Sequence, residues 1–314
     1  MPNPAVAVLD IGSNSIKVLV ARRAGTGELE VLLTRSLDAR ISAGISTAAP
    51  RLSEAGIARG LAAVRELQVA AQAFSPVATA IVATSAVRDA ANGADFCAQV
   101  NAVSGFPVRT LSGETEARII GRGLTADVAL AHLQNFYVFD LGGGSLECLA
   151  FQQRAIAQAV SLQLGCVRLT EKFVADTNAP FSGADEAAVA RHVAGELAAA
   201  QFRFDLPERI AVATGGTVAT MRAMIGAATG LRAEATPARV SFAQARTLLE
   251  KVAPLTLAAR RQVPGLPPAR ADVFPTALAT LLAVAEAGKF SEFHHSFHNL
   301  RYGLAAELLS QFDT

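Results

Sequence analysis

Two similar stretches of the sequence decide the fold: VLDIGSNSIKVL at residues 8–19 and VFDLGGGSLECL at residues 138–149. They align without a gap at an offset of 130 residues, since 140 − 10 = 130. Each consists of an apolar run, an Asp-x-Gly turn and a second apolar run, a pattern typical of two antiparallel strands joined by a tight hairpin. Two aligned copies with matching flanks indicate a duplicated domain more strongly than a single Asp-x-Gly turn would.

The segments around each hairpin alternate between strand-like and helix-like patterns. In the first half, residues 53–73 have helical spacing with Ser53 as N-cap, and residues 77–83 form an apolar run typical of a buried strand. In the second half, a strand at residues 210–213 leads through a Gly-rich turn into a helix at residues 218–225. Residues 297–312 are predicted to be largely helical. Both halves are therefore predicted to be α/β.

Composition excludes several classes of protein. A chain of 314 residues with 51% hydrophobic and 18% charged residues predicts a globular protein of about two domains. A net charge of +1, no Trp and two Tyr disfavour a nucleic-acid polymer as partner. Cys97, Cys148 and Cys166 fit neither a disulfide framework nor a zinc spacing. With no signal peptide and no apolar run of ~18 residues, we expect a cytoplasmic protein without a membrane partner.

The two turns have the chemistry of an anion site. Glycine lets backbone N–H groups approach a phosphate closely, and an aspartate at a strand end offers hard oxygen ligands suited to Mg²⁺. We therefore expect Mg²⁺ to be held by Asp10 and Asp140. The residues expected to cradle phosphate are Gly12, Ser13, Asn14 and Ser15 in the first turn and Gly142, Gly143, Gly144 and Ser145 in the second.

A third Gly-rich turn follows the strand predicted at residues 210–213. Gly215, Gly216 and Thr217 would add N–H donors at the N-terminus of the next helix, although an ordinary glycine turn is the alternative. None of the three turns matches a Walker A motif or the G-x-G-x-x-G dinucleotide fingerprint. A hydride-transfer enzyme is disfavoured accordingly.

Seven segments together resemble one family, the exopolyphosphatase / guanosine pentaphosphate phosphatase (Ppx/GppA) family of the sugar kinase–heat-shock-70–actin superfamily. They occur in the family's order: VLDIGSNSIKVLVA (8–21), ATSAVRDAAN (83–92), LSGETEARIIGRGL (111–124), VFDLGGGSLECLAF (138–151), LQLGCVRLTEKF (162–173), VATGGTVATM (212–221) and NLRYGL (299–304). The resemblance implies two ribonuclease-H-like domains with the active site in the cleft between them. It also implies Mg²⁺-dependent hydrolysis of a terminal phosphate from polyphosphate or pppGpp.

The resemblance assigns roles to three further residues. The family's catalytic glutamate precedes Ala-Arg, which corresponds to Glu116, and Glu147 matches a second family acid that would hold the water or the metal. Arg88 matches an arginine expected to contact phosphate. Each has a simpler alternative: a helix-dipole partner for Glu116, a solvent-facing strand residue for Glu147 and a surface salt bridge for Arg88. Arg118 is expected to be structural, lying on a helix and pairing with a nearby acid.

The expected domains are residues 1–125, residues 126–298, and a final helix at residues 299–314 that packs back on the first domain. Longer family members carry a further helical C-terminal region, so this sequence resembles the two-domain short form. Tyr302 stands where the family's Leu-Arg-Glu-Gly motif has an acid, which leaves the role of that acid open. His294, His295 and His298 form an H-H-x-x-H pattern that indicates either a polar strand end or, less simply, a metal site.

The sequence therefore predicts a phosphohydrolase that releases terminal phosphate from polyphosphate, pppGpp or both. One alternative is a superfamily kinase that transfers phosphate from ATP to a small acceptor. The other is a regulator that binds guanosine penta- or tetraphosphate without hydrolysing it. Polyphosphate and pppGpp present the same terminal phosphoanhydride, so the sequence does not rank them. It is also compatible with a homodimer.

Overall fold

The computed structural model describes residues 3–25, 27–45, 49–232 and 235–312. The chain divides into two compact units. Unit 1 consists of Met1–His132 together with His298–Thr314, and unit 2 is the continuous segment Leu133–Phe297. Along the described residues, no helix is both long enough and apolar enough to span a membrane.

The elements are numbered in chain order within the described residues. The strands are β1 Ala5–Ile11, β2 Ile16–Arg23, β3 Leu29–Leu37, β4 Ala78–Ala83, β5 Val108–Thr110, β6 Phe136–Leu141, β7 Leu146–Gln152, β8 Ala155–Leu162, β9 Ala211–Thr214, β10 Arg239–Ser241 and β11 Glu292–His295. The helices are α1 Glu54–Gln72, α2 Ser85–Asp89, α3 Gly93–Ser104, α4 Gly113–Thr125, α5 Cys166–Phe173, α6 Gly183–Ala199, α7 Gly216–Thr229, α8 Phe242–Val252, α9 Leu257–Arg260, α10 Phe274–Gly288 and α11 Leu300–Leu309.

Unit 1 is built on a mixed sheet with the described strand order β3-β2-β1-β4-β5. The strands β1, β2 and β3 form an antiparallel meander, whereas β4 and β5 run parallel to β1. β1 is buried along its whole length because it lies at the centre of the sheet. In the β1–β2 register, Asp10 lies opposite Lys17 and Ile11 opposite Ile16. The predicted hairpin at residues 8–19 is therefore confirmed.

Unit 2 repeats this arrangement around β6, with the described order β10-β11-β9-β6-β7-β8. β6, β7 and β8 form the meander, β9 and β11 are parallel additions, and β10 is an antiparallel edge strand. Asp140 lies opposite Glu147 and Leu141 opposite Leu146, the same register as in unit 1 at the offset of 130 residues. The duplication and the predicted α/β fold of two ribonuclease-H-like units are confirmed.

Local signals account for several helix boundaries. Ser53 caps α1 by accepting a hydrogen bond from the Gly56 amide, as predicted. In unit 2, α10 is buried along nearly all of its length, and its residues are almost entirely apolar or small. A helix surrounded by apolar neighbours carries no polar face, which explains why its sequence lacks an amphipathic pattern.

Helix α11 returns to unit 1 and packs against α4, β1 and β2. Arg301 donates hydrogen bonds from Nη1 to the Val18 carbonyl at 3.3 Å and to Thr34 Oγ1 at 3.2 Å, so it ties the helix to the sheet. Tyr302 is buried, and its ring stacks on His298 with centroids 4.1 Å apart. Tyr302 therefore serves packing within unit 1.

The burial of His298 makes unit 1 sensitive to acid. Burial lowers the pKa of His298 below its ordinary value, although Asp127 and a hydrogen bond with the Gly123 backbone oppose this shift. The unfolded chain takes up a proton near pH 6.5, so the native state is the less protonated form below that pH and loses stability as the pH falls.

We expect urea unfolding at about pH 7.5 and about pH 5.5 to show this loss, and we expect a smaller loss in His298→Gln than in the wild type. His132 is exposed in the same unit, so His132→Gln serves as the control and should retain the wild-type dependence on pH. Equal losses in wild type and His298→Gln would contradict the prediction.

Candidate active site

The first turn, Gly12–Ser15, is closed and tied down by hydrogen bonds to its backbone. The Gly12 amide donates to the Ser15 carbonyl at 3.2 Å, which closes the turn. The Ser13 carbonyl accepts from the amide and the hydroxyl of Ser42 at 3.3 and 3.1 Å, and the Asn14 carbonyl accepts from the Arg40 amide at 2.8 Å. The Ser13 hydroxyl also lies 3.1 Å from that of Ser85 at the start of α2.

The second turn, Gly142–Ser145, is held in the same way by different residues. The Gly142 amide donates to the Ser145 carbonyl at 3.0 Å. The Gly142 and Gly143 carbonyls accept amides from the first turn of α5 at 2.9–3.2 Å, and the Gly144 carbonyl accepts from Arg168 Nε at 3.0 Å. Gly165, the N-cap of α5, lies so close to the turn that an added Cβ would collide with the Gly143 and Gly144 backbone.

The fixed carbonyls determine where the next amides point. In a planar trans peptide, the C=O of one residue and the N–H of the next point in opposite directions. Anchoring the Ser13 and Asn14 carbonyls on one side of the turn therefore directs the amides of Asn14 and Ser15 to the other side. The same reasoning applies to the Gly144 and Ser145 amides. Each unit thus has consecutive amides with a common direction, an arrangement that can bind an anion.

Both predicted metal-ligating aspartates lie at the strand end next to these turns. Asp10 is buried at the end of β1, and Asp140 is half-buried near the end of β6, beside Thr214 of β9. Gly215, with φ of +91°, packs against Asp140, so an added Cβ would lie 2.5 Å from Asp140 Oδ1. Only glycine adopts this region readily, and here it also leaves room for the carboxylate.

Glu116 is a buried carboxylate on a helix whose neighbouring acid is exposed. Its side chain is 8% exposed, whereas that of Glu114 is 67% exposed and pairs with Arg118 at 3.0 Å. The prediction that the two glutamates point in different directions is confirmed, as is the pairing of Arg118. Glu116 Oε2 lies 2.9 Å from Nη1 of Arg88, so the structure brings these two predicted site residues together in unit 1.

Glu147 is almost fully buried on β7, and its Oε1 accepts a hydrogen bond from the Ser161 hydroxyl at 2.7 Å. The alternative of a solvent-facing strand residue is therefore wrong for Glu147. The partner serine lies on β8, directly opposite in the sheet register. A buried carboxylate held by a hydroxyl has a fixed orientation, which suits a group that positions a ligand.

Arg270 is a candidate site residue that the sequence analysis missed. Its guanidinium lies directly over Gly216 at the N-terminus of α7, where an added Cβ would overlap Nη1. Within the described chain, Arg270 Nε and Thr217 Oγ1 are buried atoms without a hydrogen-bond partner. The Pro-rich segment at residues 263–271 carried no motif for the arginine, and only the folded chain brings it to Gly215, Gly216 and Thr217.

Asn14 is the second predicted site residue, after Thr217, with a buried polar atom that lacks a partner within the described residues. Its Oδ1 accepts no hydrogen bond from any residue that the structure describes. A buried amide oxygen without a donor costs free energy, and such atoms in native proteins call for a water or a ligand. The turn of unit 1 therefore has, beside its backbone amides, a buried oxygen able to accept a hydrogen bond from a water or a ligand.

The histidines of the H-H-x-x-H pattern have separate partners. His294 lies 3.1 Å from Glu292, His295 Nδ1 lies 2.9 Å from Arg222 Nη1, and His298 stacks on Tyr302. The first two belong to the end of β11, as the simpler interpretation predicted. Nowhere in the described ranges do three or more His, Cys, Asp or Glu side chains cluster closely enough to hold a metal ion.

Cys166 is a core residue. It is completely buried, and burial raises the pKa of its thiol above the ordinary value, although the nearby Arg270 lowers it. The thiolate is the reactive form of cysteine, so this environment disfavours a nucleophilic role.

Comparison with known proteins places this architecture among phosphatases. The model of the Ppx/GppA phosphatase family matches residues 19–312. A crystallised exopolyphosphatase-like protein shares 25% identity over the full length of both chains, with a TM-score of 0.90. An exopolyphosphatase from Cytophaga hutchinsonii shares 20% identity over 98% of both chains (TM-score 0.86), and the Aquifex aeolicus Ppx/GppA family member shares 22% over both full chains (TM-score 0.80).

The contact between Gly165 and the second turn can be tested by substitution. Gly165→Ala forces its Cβ against the backbone at Gly143 and Gly144, and backbone cannot move aside as a flexible side chain can. We expect a loss of about 1–3 kcal/mol in the free energy of unfolding. At Gly183, at the start of α6, no atom of the part of the chain that the structure describes lies within 4 Å of an added Cβ, so Gly183→Ala should lose less than about 1 kcal/mol. Equal stabilities by urea unfolding would contradict the assigned contact.

Proposed function

The chain belongs to the Ppx/GppA phosphatase family, and on that basis we propose that it hydrolyses the terminal phosphoanhydride bond of inorganic polyphosphate, of pppGpp or of both. The observation that carries the proposal is the pair of turns whose carbonyls are anchored and whose amides are turned the other way. A phosphoryl group needs donors on several oxygens at once, and this repeated turn supplies them from rigid backbone.

In the proposed complex, the amides of Asn14 and Ser15 and those of Gly144 and Ser145 bind terminal phosphate oxygens. Gly216, Thr217 and Arg270 bind the adjoining phosphate, and Arg270 adds a permanent positive charge. A substrate oxygen would also satisfy Arg270 Nε or Thr217 Oγ1, which have no hydrogen-bond partner among the described residues. Such preorganised donors lower the barrier because they need not reorient as charge develops.

The donor set of the two aspartates fits Mg²⁺. This ion takes hard oxygen ligands and is usually held by one or two carboxylates together with waters and substrate phosphates. Asp10 and Asp140 would hold it, and Gly215 leaves the Asp140 carboxylate the space to do so. When bound, the ion would neutralise charge on the phosphate oxygens.

Glu116 is proposed to orient the attacking water and to accept its proton. A carboxylate suits this role because phosphoryl transfer needs an aligned nucleophile more than covalent chemistry. Burial of Glu116 keeps bulk water from competing for its oxygens. Glu147, held by Ser161, would assist by fixing the water or the hydration shell of the ion.

The three cysteines form no disulfide, as suits the proposed cytoplasmic location.

The proposal predicts phosphate release that depends on Glu116. With Mg²⁺ present, the wild type should release phosphate from polyphosphate, pppGpp or both, and Glu116→Gln should lower kcat by about 10²–10⁴-fold because the proton acceptor is lost. Glu114→Gln, on the exposed face of the same helix, is the matched control and should retain the wild-type kcat.

The same substrate panel separates the alternatives. Phosphorylation of an added small acceptor at the expense of ATP would favour the kinase, and tight binding of pppGpp by calorimetry without phosphate release would favour the regulator. Equal phosphate release by wild type and Glu116→Gln would rule out the assigned base.

A pair of glycine variants tests the role of Asp140. Gly215→Ala pushes a Cβ against the Asp140 carboxylate. At Gly230, with φ of +72°, an added Cβ has no atom of the described residues within 4 Å. Both variants should lose stability because alanine disfavours positive φ. Only Gly215→Ala should also lower kcat, by about 10²-fold, since a displacement of roughly 1 Å at a reacting centre has that effect. An unchanged kcat in folded Gly215→Ala would exclude Asp140 from the reaction.

A further inference from the structure

Arg88 is held within the protein through Nη1 of its guanidinium. Nη1 donates to the Leu111 carbonyl at 2.8 Å and to Glu116 Oε2 at 2.9 Å, so both hydrogens of this nitrogen are used. Nε lies 3.7 Å from Asp89 Oδ1. The side chain of Arg88 is 24% exposed and that of Glu116 only 8%, so the pair lies largely away from water.

The anchor of Arg88 is rigid. Leu111 follows β5, and its amide donates to the Ala83 carbonyl at the end of β4 at 2.9 Å. Arg88 itself belongs to α2, four residues after Thr84, whose amide donates to the Ile11 carbonyl of β1. Sheet, loop and arginine thus form a continuous support that ends at the Glu116 carboxylate.

This arrangement competes with a phosphate contact. An arginine that grips phosphate presents two parallel N–H groups from neighbouring nitrogens. The edge formed by Nη1 and Nη2 could bind a phosphate in this way only by releasing either Leu111 or Glu116. The Nε edge lies beside the Asp89 carboxylate, whose negative charge opposes a phosphate there. A released Glu116 would be a buried carboxylate without this cationic partner, which is strongly unfavourable.

We infer that Arg88 is a positioning residue that fixes the Glu116 carboxylate through its bond to the Leu111 carbonyl, and that it is not a ligand of the substrate phosphate. This inference rests on the proposed function, because it assigns Arg88 to the group that orients the attacking water. It replaces the phosphate role that the sequence resemblance implied for Arg88.

A double-mutant cycle between Arg88 and Glu116 tests the inference, with phosphate release from the substrate that the wild type hydrolyses as the readout. Arg88→Ala should lower kcat by about 10–100-fold, as the loss of a supporting residue does, and should change KM by less than about threefold. In the Glu116→Ala background, adding Arg88→Ala should lower kcat by less than about threefold more, because two residues that act as a unit are not additive.

Two further variants keep the test independent of folding. Arg88→Lys keeps the positive charge but lacks the planar guanidinium, so it should lose most of kcat while KM stays near the wild-type value. Arg118→Ala breaks the exposed Arg118–Glu114 pair on the same helix and should leave both parameters unchanged. Thermal unfolding of each variant identifies any that is not folded, and Arg88→Lys then takes the place of Arg88→Ala in the cycle.

Two results would overturn the inference and favour a phosphate contact for Arg88. One is a KM raised tenfold or more by Arg88→Ala, and the other is an equal fall in kcat caused by Arg88→Ala in the wild type and in the Glu116→Ala background. Either result would leave the proposed function standing, since the wild type would still be active and dependent on Glu116. A wild type that releases no phosphate from any substrate would instead refute the proposed function.

Discussion

Each turn of the duplicated hairpin depends on hydrogen-bond donors for its backbone carbonyls. A four-residue turn has peptide groups that the two flanking strands cannot pair, and buried groups of this kind must find other partners. Unit 1 satisfies them with residues 40–42, and unit 2 with the first turn of α5. Both segments donate hydrogen bonds to the carbonyls of the turn. The N–H groups of the same peptides therefore point to the opposite side, where they can meet an anion. Asp10 and Asp140 lie at the strand ends beside these turns, and Gly215 packs against Asp140.

Features that depend on neighbours in sequence were predictable. The hairpins follow from alternating apolar runs and glycine turns, Ser53 from its capping position, and the difference between Glu114 and Glu116 from helical spacing. These are properties of one or two turns of backbone, and local stereochemistry decides them. The register at Asp10 and Asp140 follows as well, because the length of a tight hairpin turn fixes which residues lie opposite each other in the two strands.

Features that depend on distant residues were not predictable. Arg270 meets Gly216 across 54 residues (270 − 216 = 54), and no periodicity links a Pro-rich loop to a glycine turn. The sequence did not reveal that Arg88 pairs with Glu116 either, because an arginine binds a phosphate and a carboxylate equally well. Helix α5 is a different case, because its buried residues Cys166, Leu169 and Thr170 stand at helical spacing, a local pattern from which no helix was predicted.

The chain passes out of unit 1 after His132 and re-enters it at His298, which makes the two units unequal during synthesis. Residues 133–297 leave the ribosome as one uninterrupted stretch, so unit 2 can complete its sheet and its core while translation continues. Unit 1 is completed later, because the contacts of α11 with α4, β1 and β2 form only when residues 300–309 have emerged. A nascent chain stalled before that point would hold a finished second unit and a first unit with an uncovered surface, which is the form most exposed to chaperones and proteases.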